Sequence, residues 1–262
     1  MPEENRDWVG FGRLGDETVA CPYFKGARGR QGPLFAWQNV AARDTPDAMT
    51  SADLFPNLTT AEAARYLELQ AGRSRPLRLH CYRAIGIAHV KRALEVGCGS
   101  GAILRELQAK VPLAAGVDPS PAPRLPRAVA GVGESLPFKE AAFDSLFLHY
   151  ALLWVRDLKR FFAGARRILA PGAPLVLLAE PMIGEVRGAD GEAFKRMHDD
   201  AGIHTFTLEG LNALLRDHGF TPALERAMED GASEPEWDAL NAKLLGRPMD
   251  LHLPLAYGTA SQ

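Results

Sequence analysis

Three glycines at alternate positions, Gly97, Gly99 and Gly101, form the strongest chemical signal in the sequence. They follow an apolar run that ends at Val96 and precede a helical pattern that begins at Ala102. Glycine lets the main chain turn sharply and lets a ligand lie against bare backbone. The first turn of the following helix offers unpaired N–H groups, which attract a carboxylate or a phosphate. The loop therefore predicts a site for a small anionic ligand, although a tight turn without any ligand would need the same glycines.

Apolar runs alternate with helical patterns through the middle of the chain, and this order must position the loop. The apolar runs cover residues 93–96, 114–117, 128–132, 145–149 and 174–179. Such unalternated runs are typical of parallel strands that are covered on both faces. Helical patterns, for example at 102–110 and 158–169, separate most of them. We therefore predict an α/β fold with a doubly wound, mostly parallel, seven-stranded sheet.

The two ends of the chain differ from this middle part. The C-terminal third predicts helices over 208–218 and 234–245 and strands over 221–228 and 250–257, with an antiparallel edge pair as the last unit. Two helices are expected before the sheet, at 59–72 and 76–85, and Thr59 with Glu62 has capping-box spacing. Residues 1–58 show no sustained period but hold seven aromatic residues. We divide the chain into an irregular N-terminal extension, 1–58, and a main domain, 59–262.

Composition excludes several functional classes. The 262 residues hold 30 basic and 32 acidic side chains, a balance that argues against a general nucleic-acid binder. The longest apolar stretches, 146–155 and 173–179, are too short to span a bilayer, which needs about 20 residues. The N-terminus is polar, without the pattern of a signal peptide. Three scattered cysteines without a CxxC spacing favour reduced thiols. We expect a cytoplasmic protein without nucleic-acid or membrane partners.

The sequence from 76 to 262 resembles the class I S-adenosylmethionine-dependent methyltransferases. The glycine motif at 95–101 is similar to the first motif of that family, and Val117-Asp118-Pro119 is similar to its second. Further similar segments follow in the family order: GVGESLPF at 131–138, Phe143-Asp144, LHYALLWVRD at 148–157, RILAPGAP at 167–174 and LHLPLAYG at 251–258. The resemblance implies a Rossmann-like sheet with an antiparallel C-terminal edge strand, and S-adenosyl-L-methionine as cofactor.

The resemblance also implies a set of cofactor-binding residues. They are Arg78, Glu95, Gly97, Cys98, Gly99, Gly101, Asp118, Pro119, Gly133, Glu134 and His149. Asp118 would accept both ribose hydroxyls, since one carboxylate can take two O–H donors. Glu95 would lie near the methionine ammonium, and Arg78 would pair with the cofactor carboxylate. The alternatives are a solvated turn cap for Asp118, a helix-dipole partner for Glu95 and a solvated surface side chain for Arg78.

The adenine side departs from the family pattern. Val132 stands where relatives carry an aspartate, so Gly133 and Glu134 are the residues left to contact adenine. Four prolines between Asp118 and Ala128 also exclude a regular crossover helix there. We predict a tight, extended loop on this side.

Catalytic and substrate-binding candidates follow the fourth and fifth predicted strands of the domain. His149, Tyr150 and Glu180 are the catalytic candidates, because a histidine or carboxylate at the carboxyl edge of the sheet can orient or deprotonate a nucleophile. Packing against the cofactor for His149 and a strand-end cap for Glu180 are the alternatives. Tyr150 and Trp154 are expected to bind substrate. Tyr23 and Trp37, together with Phe35, are expected to reach the same pocket from the N-terminal extension, which we predict to be a cap.

A metal site is not expected. His198, Asp199, Asp200 and His204 include ligand types, but the two histidines are six residues apart, which is a poor fit for one helical face. We predict a polar loop near the active site here.

The sequence therefore predicts methyl transfer from S-adenosylmethionine to a small molecule or natural product. A dinucleotide-binding dehydrogenase is the first rival, since its loop is also glycine-rich. Its third glycine would stand one residue later than Gly101, and its fold has no place for the strand–helix–strand terminus. A fold that binds the cofactor but catalyses another reaction, and a non-catalytic binding partner, remain as alternatives.

Overall fold

The computed structural model describes residues 10–14, 17–21, 55, 57–119, 125–228 and 234–262. The described strands are β1 (Gly10–Leu14), β2 (Glu17–Cys21), β3 (Arg92–Val96), β4 (Leu113–Asp118), β5 (Ala128–Ala130), β6 (Ser145–His149), β7 (Leu175–Pro181), β8 (Thr221–Met228) and β9 (Pro254–Ser261). The described helices are α1 (Thr60–Arg73), α2 (Arg75–Ala84), α3 (Ala102–Gln108), α4 (Leu158–Ile168), α5 (Gly191–Asp200), α6 (Leu208–Asp217) and α7 (Pro235–Leu244). None of these helices is long and apolar enough to cross a membrane.

Seven strands form one sheet in the order β5-β4-β3-β6-β7-β9-β8. Strands β3 to β7 pair in parallel, and β9 pairs antiparallel with both β7 and β8. The predicted doubly wound sheet with an antiparallel C-terminal edge is therefore confirmed. The chain runs outward from β3 through β4 to β5 and then returns to β6 on the other side of β3. This reversal is the topological switch point, where the loops diverge and open sheets bind ligands.

The register of the central strands brings the ends of three of them to one level. Val96 at the end of β3 is aligned with Val117 of β4 and with Leu148 of β6. The residues that follow, Asp118 and His149 with the glycine loop, therefore leave the sheet together at its carboxyl edge.

Apolar packing covers both faces of the sheet. Helices α4 and α6 bury Phe161, Phe162, Leu211 and Leu215 on one face, and α2 and α3 bury Tyr82 and the leucines of α3 on the other. A third, smaller cluster joins α1 to α7. It consists of Phe55, Ala63, Tyr66, Trp237 and Leu240. This α1–α7 unit lies outside the sheet and becomes important at the site.

The helix and strand bounds follow the predictions closely except in two places. The last strand begins at Pro254 and not at Asp250, because His252 pairs as an isolated bridge with Arg187 and Asp250 is held by Asp190. A helix, α5, replaces the polar loop that was predicted around His198. In the N-terminal extension, β1 and β2 pair antiparallel with each other. The division at residue 58 stays a prediction.

Candidate functional site

A cavity of about 1040 Å³ opens at the carboxyl edge of the sheet. One end is formed by the residues that follow β3, β4 and β6, including the glycine loop; we call it the cofactor end. The other end lies between α1, α5, α7 and the segment 248–253; we call it the acceptor chamber. Of the candidates, Glu95, Gly97, Cys98, Gly99, Asp118, Pro119, Gly133, Glu134, His149, Tyr150 and Trp154 line the cavity.

The three glycines of the loop have different structural roles. All have left-handed backbone, with φ of +80° at Gly97, +41° at Gly99 and +80° at Gly101. A Cβ at Gly97 would lie 2.7 Å from the Ala151 Cβ, and one at Gly101 would collide with the Leu125 side chain. At Gly99 the nearest atom would be 3.5 Å away. Gly97 and Gly101 are therefore required by the packing of the protein itself, whereas a Cβ at Gly99 would make only ordinary contacts with Leu67 and Asp118.

Glu95 presents a buried carboxylate to the cofactor end. The residue is 2% exposed, and its Oε2 has no hydrogen-bond partner among the described residues. Burial raises its pKa well above the ordinary value, and the charge of Asp118 adds to the effect while Arg78 opposes it. An unpaired buried carboxylate is costly. A cationic group of a ligand beside it would remove that cost, so the arrangement fits an ammonium.

Asp118 is anchored to the loop while it faces the cavity. Its Oδ2 accepts a hydrogen bond of 2.9 Å from the Gly99 N–H. A carboxylate has about four lone-pair sites, so further O–H donors can be accommodated. The geometry suits the recognition of a diol beside the glycine loop.

His149 takes part in a buried network beneath the cavity wall. Its Nε2 lies 2.7 Å from the Ser74 Oγ, and Arg78 donates to the same oxygen at 2.9 Å. Burial, with the nearby Arg78 charge, lowers the pKa of His149 to about 3. The ring therefore stays neutral near pH 7 and is a weak base. This position favours the packing role over the predicted proton transfer.

Arg78 and Glu180 do not line the cavity. Arg78 is 3% exposed and donates to Glu106 Oε2 at 2.9 Å and to the backbone of α1, which leaves the predicted pairing with a ligand carboxylate without support. Both oxygens of Glu180 accept N–H bonds, from Ala151 at 3.1 Å and Leu152 at 3.0 Å, and burial raises its pKa to about 8. Glu180 thus braces the turn after β6, as the capping alternative proposed.

Tyr150 and Trp154 line the cavity directly after β6. Tyr150 has a left-handed backbone with φ of +51°, and its N–H donates to the Ala179 carbonyl at 2.9 Å. A non-glycine residue in this conformation costs on the order of 1–3 kcal/mol and often marks a functional turn. Trp154 follows on a short 3₁₀ turn, so both side chains reach the cavity.

On the adenine side, Glu134 holds a turn and the backbone at Gly133 lies close to the core. Glu134 Oε1 accepts the Arg156 N–H at 2.7 Å, which fixes the turn before α4. A Cβ at Gly133 would meet Phe161 at 3.1 Å, so the backbone lies close to the core there. Most of the proline-rich stretch, residues 120–124, lies outside the described residues.

The acceptor chamber was missed by sequence reasoning. Its wall includes Phe55, Tyr66, Phe194, Met197, Trp237 and Met249. Tyr66 and Trp237 come from the helices predicted at 59–72 and 234–245, Phe194 and Met197 from α5, where a polar loop was predicted, and Phe55 from the N-terminal extension. The apolar residues Met249, Leu251 and Leu253, which alternate with polar ones, are the signal that could have indicated it. Tyr23, Phe35 and Trp37, which were expected to reach this pocket, lie outside the described residues.

In the part of the chain that the structure describes, no group of three or more His, Cys, Asp or Glu side chains could hold a metal ion. His198 lines the cavity from α5, and His204 instead contacts the Val155 carbonyl through Nε2 at 2.8 Å.

Comparison with known proteins gives consistent results. Residues 94–177 match a family model described as a methyltransferase domain. The chain is 31% identical to malonyl-[acyl-carrier protein] O-methyltransferase of Halorhodospira halophila, over 45% of this chain and 44% of that protein. It is 29% identical to demethylmenaquinone methyltransferase of a Roseiflexus species, over 54% and 73%. The chain thus spans less than half the length of the first of these relatives.

Solved structures share the fold. Phosphoethanolamine N-methyltransferase 2 of Haemonchus contortus, solved with S-adenosyl-L-methionine, aligns with a TM-score of 0.57 at 16% identity, over 82% of this chain and 60% of that chain. A sarcosine dimethylglycine methyltransferase from Galdieria sulphuraria, described as putative in its own report, aligns with a TM-score of 0.50 at 15% identity, over 72% and 84%.

Proposed function

We propose that this chain is a class I S-adenosylmethionine-dependent methyltransferase and that it methylates a small-molecule acceptor bound in the acceptor chamber. One observation carries the proposal: the buried Glu95 side chain, whose Oε2 has no hydrogen-bond partner among the described residues, lines the same cavity as Asp118 and Gly99. These groups match the ammonium, the ribose hydroxyls and the close backbone approach that the cofactor requires.

The residues of this chain would act by holding and aligning. Asp118 would accept hydroxyl protons, Glu95 would face the ammonium, and the backbone at Gly99 would lie against the ligand. The bound cofactor supplies an electrophilic methyl group on a sulfonium. Tyr150 and Trp154 line the cavity, where they would orient the acceptor and exclude water. His149 is too weakly basic to be the main proton acceptor, so alignment carries most of the rate enhancement in this proposal.

The relatives leave the acceptor open. One is named for a malonyl-[acyl-carrier protein] and the other for a demethylmenaquinone, which are chemically unlike each other. We expect the reaction to take place in the cytoplasm, which the free, buried thiols of Cys81 and Cys98 support.

Calorimetry with S-adenosylmethionine and S-adenosylhomocysteine tests cofactor binding by the full chain. We expect saturable heat from both ligands and an increase in melting temperature. No heat and no thermal shift with either ligand at high micromolar concentration would overturn the proposal.

Methyl transfer needs a separate measurement, because a non-catalytic partner and an enzyme of another reaction would also bind the cofactor. Isotopically labelled methyl from the cofactor should appear in an acceptor when the protein is incubated with extracts of small molecules. Cofactor turnover without label in any product would favour the non-methylating alternative.

A further inference from the structure

The cavity extends beyond the cofactor end. Pockets for one drug-sized ligand have volumes of about 300–1,000 Å³. The whole cavity reaches about 1040 Å³, and much of its wall belongs to the acceptor chamber. A second molecule therefore has room beside a ligand at the glycine loop.

The chamber wall is apolar and partly aromatic. Phe55, Tyr66 and Trp237 belong to the buried cluster between α1 and α7, and the Tyr66 and Trp237 rings stack at 4.5 Å. Met197 on α5 faces the cavity although it is 43% exposed, which is unusual for a large apolar side chain. A ligand in the chamber would cover this side chain. Methionine is flexible and polarizable, so it adapts to an apolar surface of irregular shape.

The charged groups of the acceptor chamber do not form a typical site for a phosphate or diphosphate. In the acceptor chamber the described lining holds one carboxylate, Asp238, and one guanidinium group, Arg73. The Arg73 guanidinium stands over the Trp237 ring at 5.2 Å. Recognition of a phosphate or diphosphate normally uses converging arginines. The described part of the chamber wall offers a single arginine, accompanied by Asp238.

We propose that the acceptor is an uncharged, largely apolar molecule, whose carbon skeleton occupies the chamber between α1, α5, α7 and residues 248–253. This inference rests on the proposed function, since it names the class of molecule that the methyl group reaches. It excludes phosphorylated, diphosphorylated and other multiply anionic acceptors.

A matched pair of dyes tests the charge preference. N-phenyl-1-naphthylamine is neutral and apolar, and 8-anilinonaphthalene-1-sulfonate has the same skeleton with one sulfonate. We expect the neutral dye to bind the full-length protein at least about tenfold more tightly, a free-energy difference of about 1.4 kcal/mol. Saturating S-adenosylhomocysteine should leave the neutral dye bound. Equal or tighter binding of the sulfonate, or displacement of the neutral dye by S-adenosylhomocysteine, would overturn the proposal.

A matched pair of variants tests the location. Met197 and Met228 are 43% and 47% exposed, but only Met197 lines the cavity, because Met228 ends the edge strand β8. Met197→Asp should weaken neutral-dye binding by about tenfold or more, since a carboxylate would be desolvated against the ligand. Met228→Asp should leave it unchanged. Equal effects of the two variants, or none, would contradict the proposal.

Cofactor calorimetry on the same samples separates the two proposals. If S-adenosylhomocysteine binds but the dye results fail, the acceptor class is wrong and the proposed function stands. If the dye results hold but no cofactor binds, the chamber is an apolar site and the inference that it holds a methyl acceptor falls with the proposed function.

Discussion

The cofactor end and the acceptor chamber of the same cavity are built in different ways. The cofactor end consists of strand ends and backbone, with a buried carboxylate at Glu95 and left-handed glycines in the loop. The chamber consists of apolar side chains on helices that stand outside the sheet. The first depends on local geometry that allows few alternatives. The second depends on packing between distant parts of the chain, so it can vary while the sheet stays the same.

The contacts between α1 and α7 show how the chamber wall is held. Tyr66 stacks on Trp237 and its hydroxyl lies 3.2 Å from the Asn241 side chain. Arg65 pairs with Glu236 at 2.6 Å, but both side chains are about half exposed. Exposed ion pairs contribute little to stability. The aromatic packing therefore stabilises this wall, and the ion pair mainly sets the register of the two helices.

The largest expected effect separates two glycines of the loop. Gly97→Ala should lower the free energy of unfolding by about 2–5 kcal/mol, because left-handed strain adds to a clash with Ala151. Gly99→Ala should cost only about 1–2 kcal/mol, the strain alone. Chemical denaturation of both variants measures the difference. Gly99→Ala should still weaken S-adenosylhomocysteine binding, since its methyl group would point to the ligand side. Equal destabilisation by the two substitutions would show that the glycines have the same role.

The sequence predicted the cofactor end well because its signals are local. Each strand end, the glycine spacing and Asp118 lie within short segments, and parallel pairing brings such ends to one edge. His149 and Glu180 were placed at the correct edge, but their chemistry was not predictable. It depends on Ser74, Arg78 and the Ala151 and Leu152 N–H groups, whose contacts form only when helices and strands assemble.

The chamber was not predictable for the same reason. Tyr66 and Trp237 are far apart in sequence. Their helical patterns indicate that each side chain is buried, but not that the two helices pack against each other. The alternating pattern at 250–257 predicts a strand, whereas the strand pairing runs from Pro254 to Ser261 and the residues before it contact Arg187 and Asp190.

The second prediction concerns Asp118. Replacement by Asn keeps the size but removes the charge, so the charge-assisted bonds to hydroxyl donors weaken. We expect S-adenosylhomocysteine affinity to fall roughly tenfold to hundredfold, equivalent to about 1.5–3 kcal/mol, with neutral-dye affinity unchanged. Calorimetry on wild type and variant, with thermal melts as the folding control, measures this. An unchanged dissociation constant would assign Asp118 to the loop turn only, through its bond with Gly99.

The third prediction uses the protonation of Glu95. Burial raises its pKa, so a proton is held on this carboxyl at pH values where an exposed glutamate is ionised. A cationic ligand group favours the ionised form, lowers the pKa and releases the proton. Affinity for S-adenosylhomocysteine should therefore rise with pH up to the pKa of the free protein and then level off. Titrations in buffers of different ionisation enthalpy should show proton release that Glu95→Gln abolishes and the exposed-site control Glu140→Gln retains. Identical heats in all buffers would show that Glu95 does not change its protonation state on binding.

The smallest expected effect concerns how the segment 248–253 is held against the chamber. Asp190 accepts a bond from Arg247 at 2.6 Å and from the Asp250 N–H at 2.8 Å. The hydrogen bond from Arg247, and after it the bond from the Asp250 N–H, hold the pKa of Asp190 below its ordinary value. The contacts are therefore complete at pH values above the ordinary pKa and are lost only as the pH falls through the lowered pKa. Asp190→Ala should weaken neutral-dye binding by about threefold at pH 7, since exposed contacts of this kind are weak. S-adenosylhomocysteine affinity should not change, because none of these residues reaches the glycine loop. Asp190→Asn keeps an oxygen for the Asp250 N–H, so its neutral-dye affinity should lie between those of Asp190→Ala and the wild type. Equal losses of dye and cofactor affinity would mean that the segment closes the whole cavity, and the two ends would then act as one site.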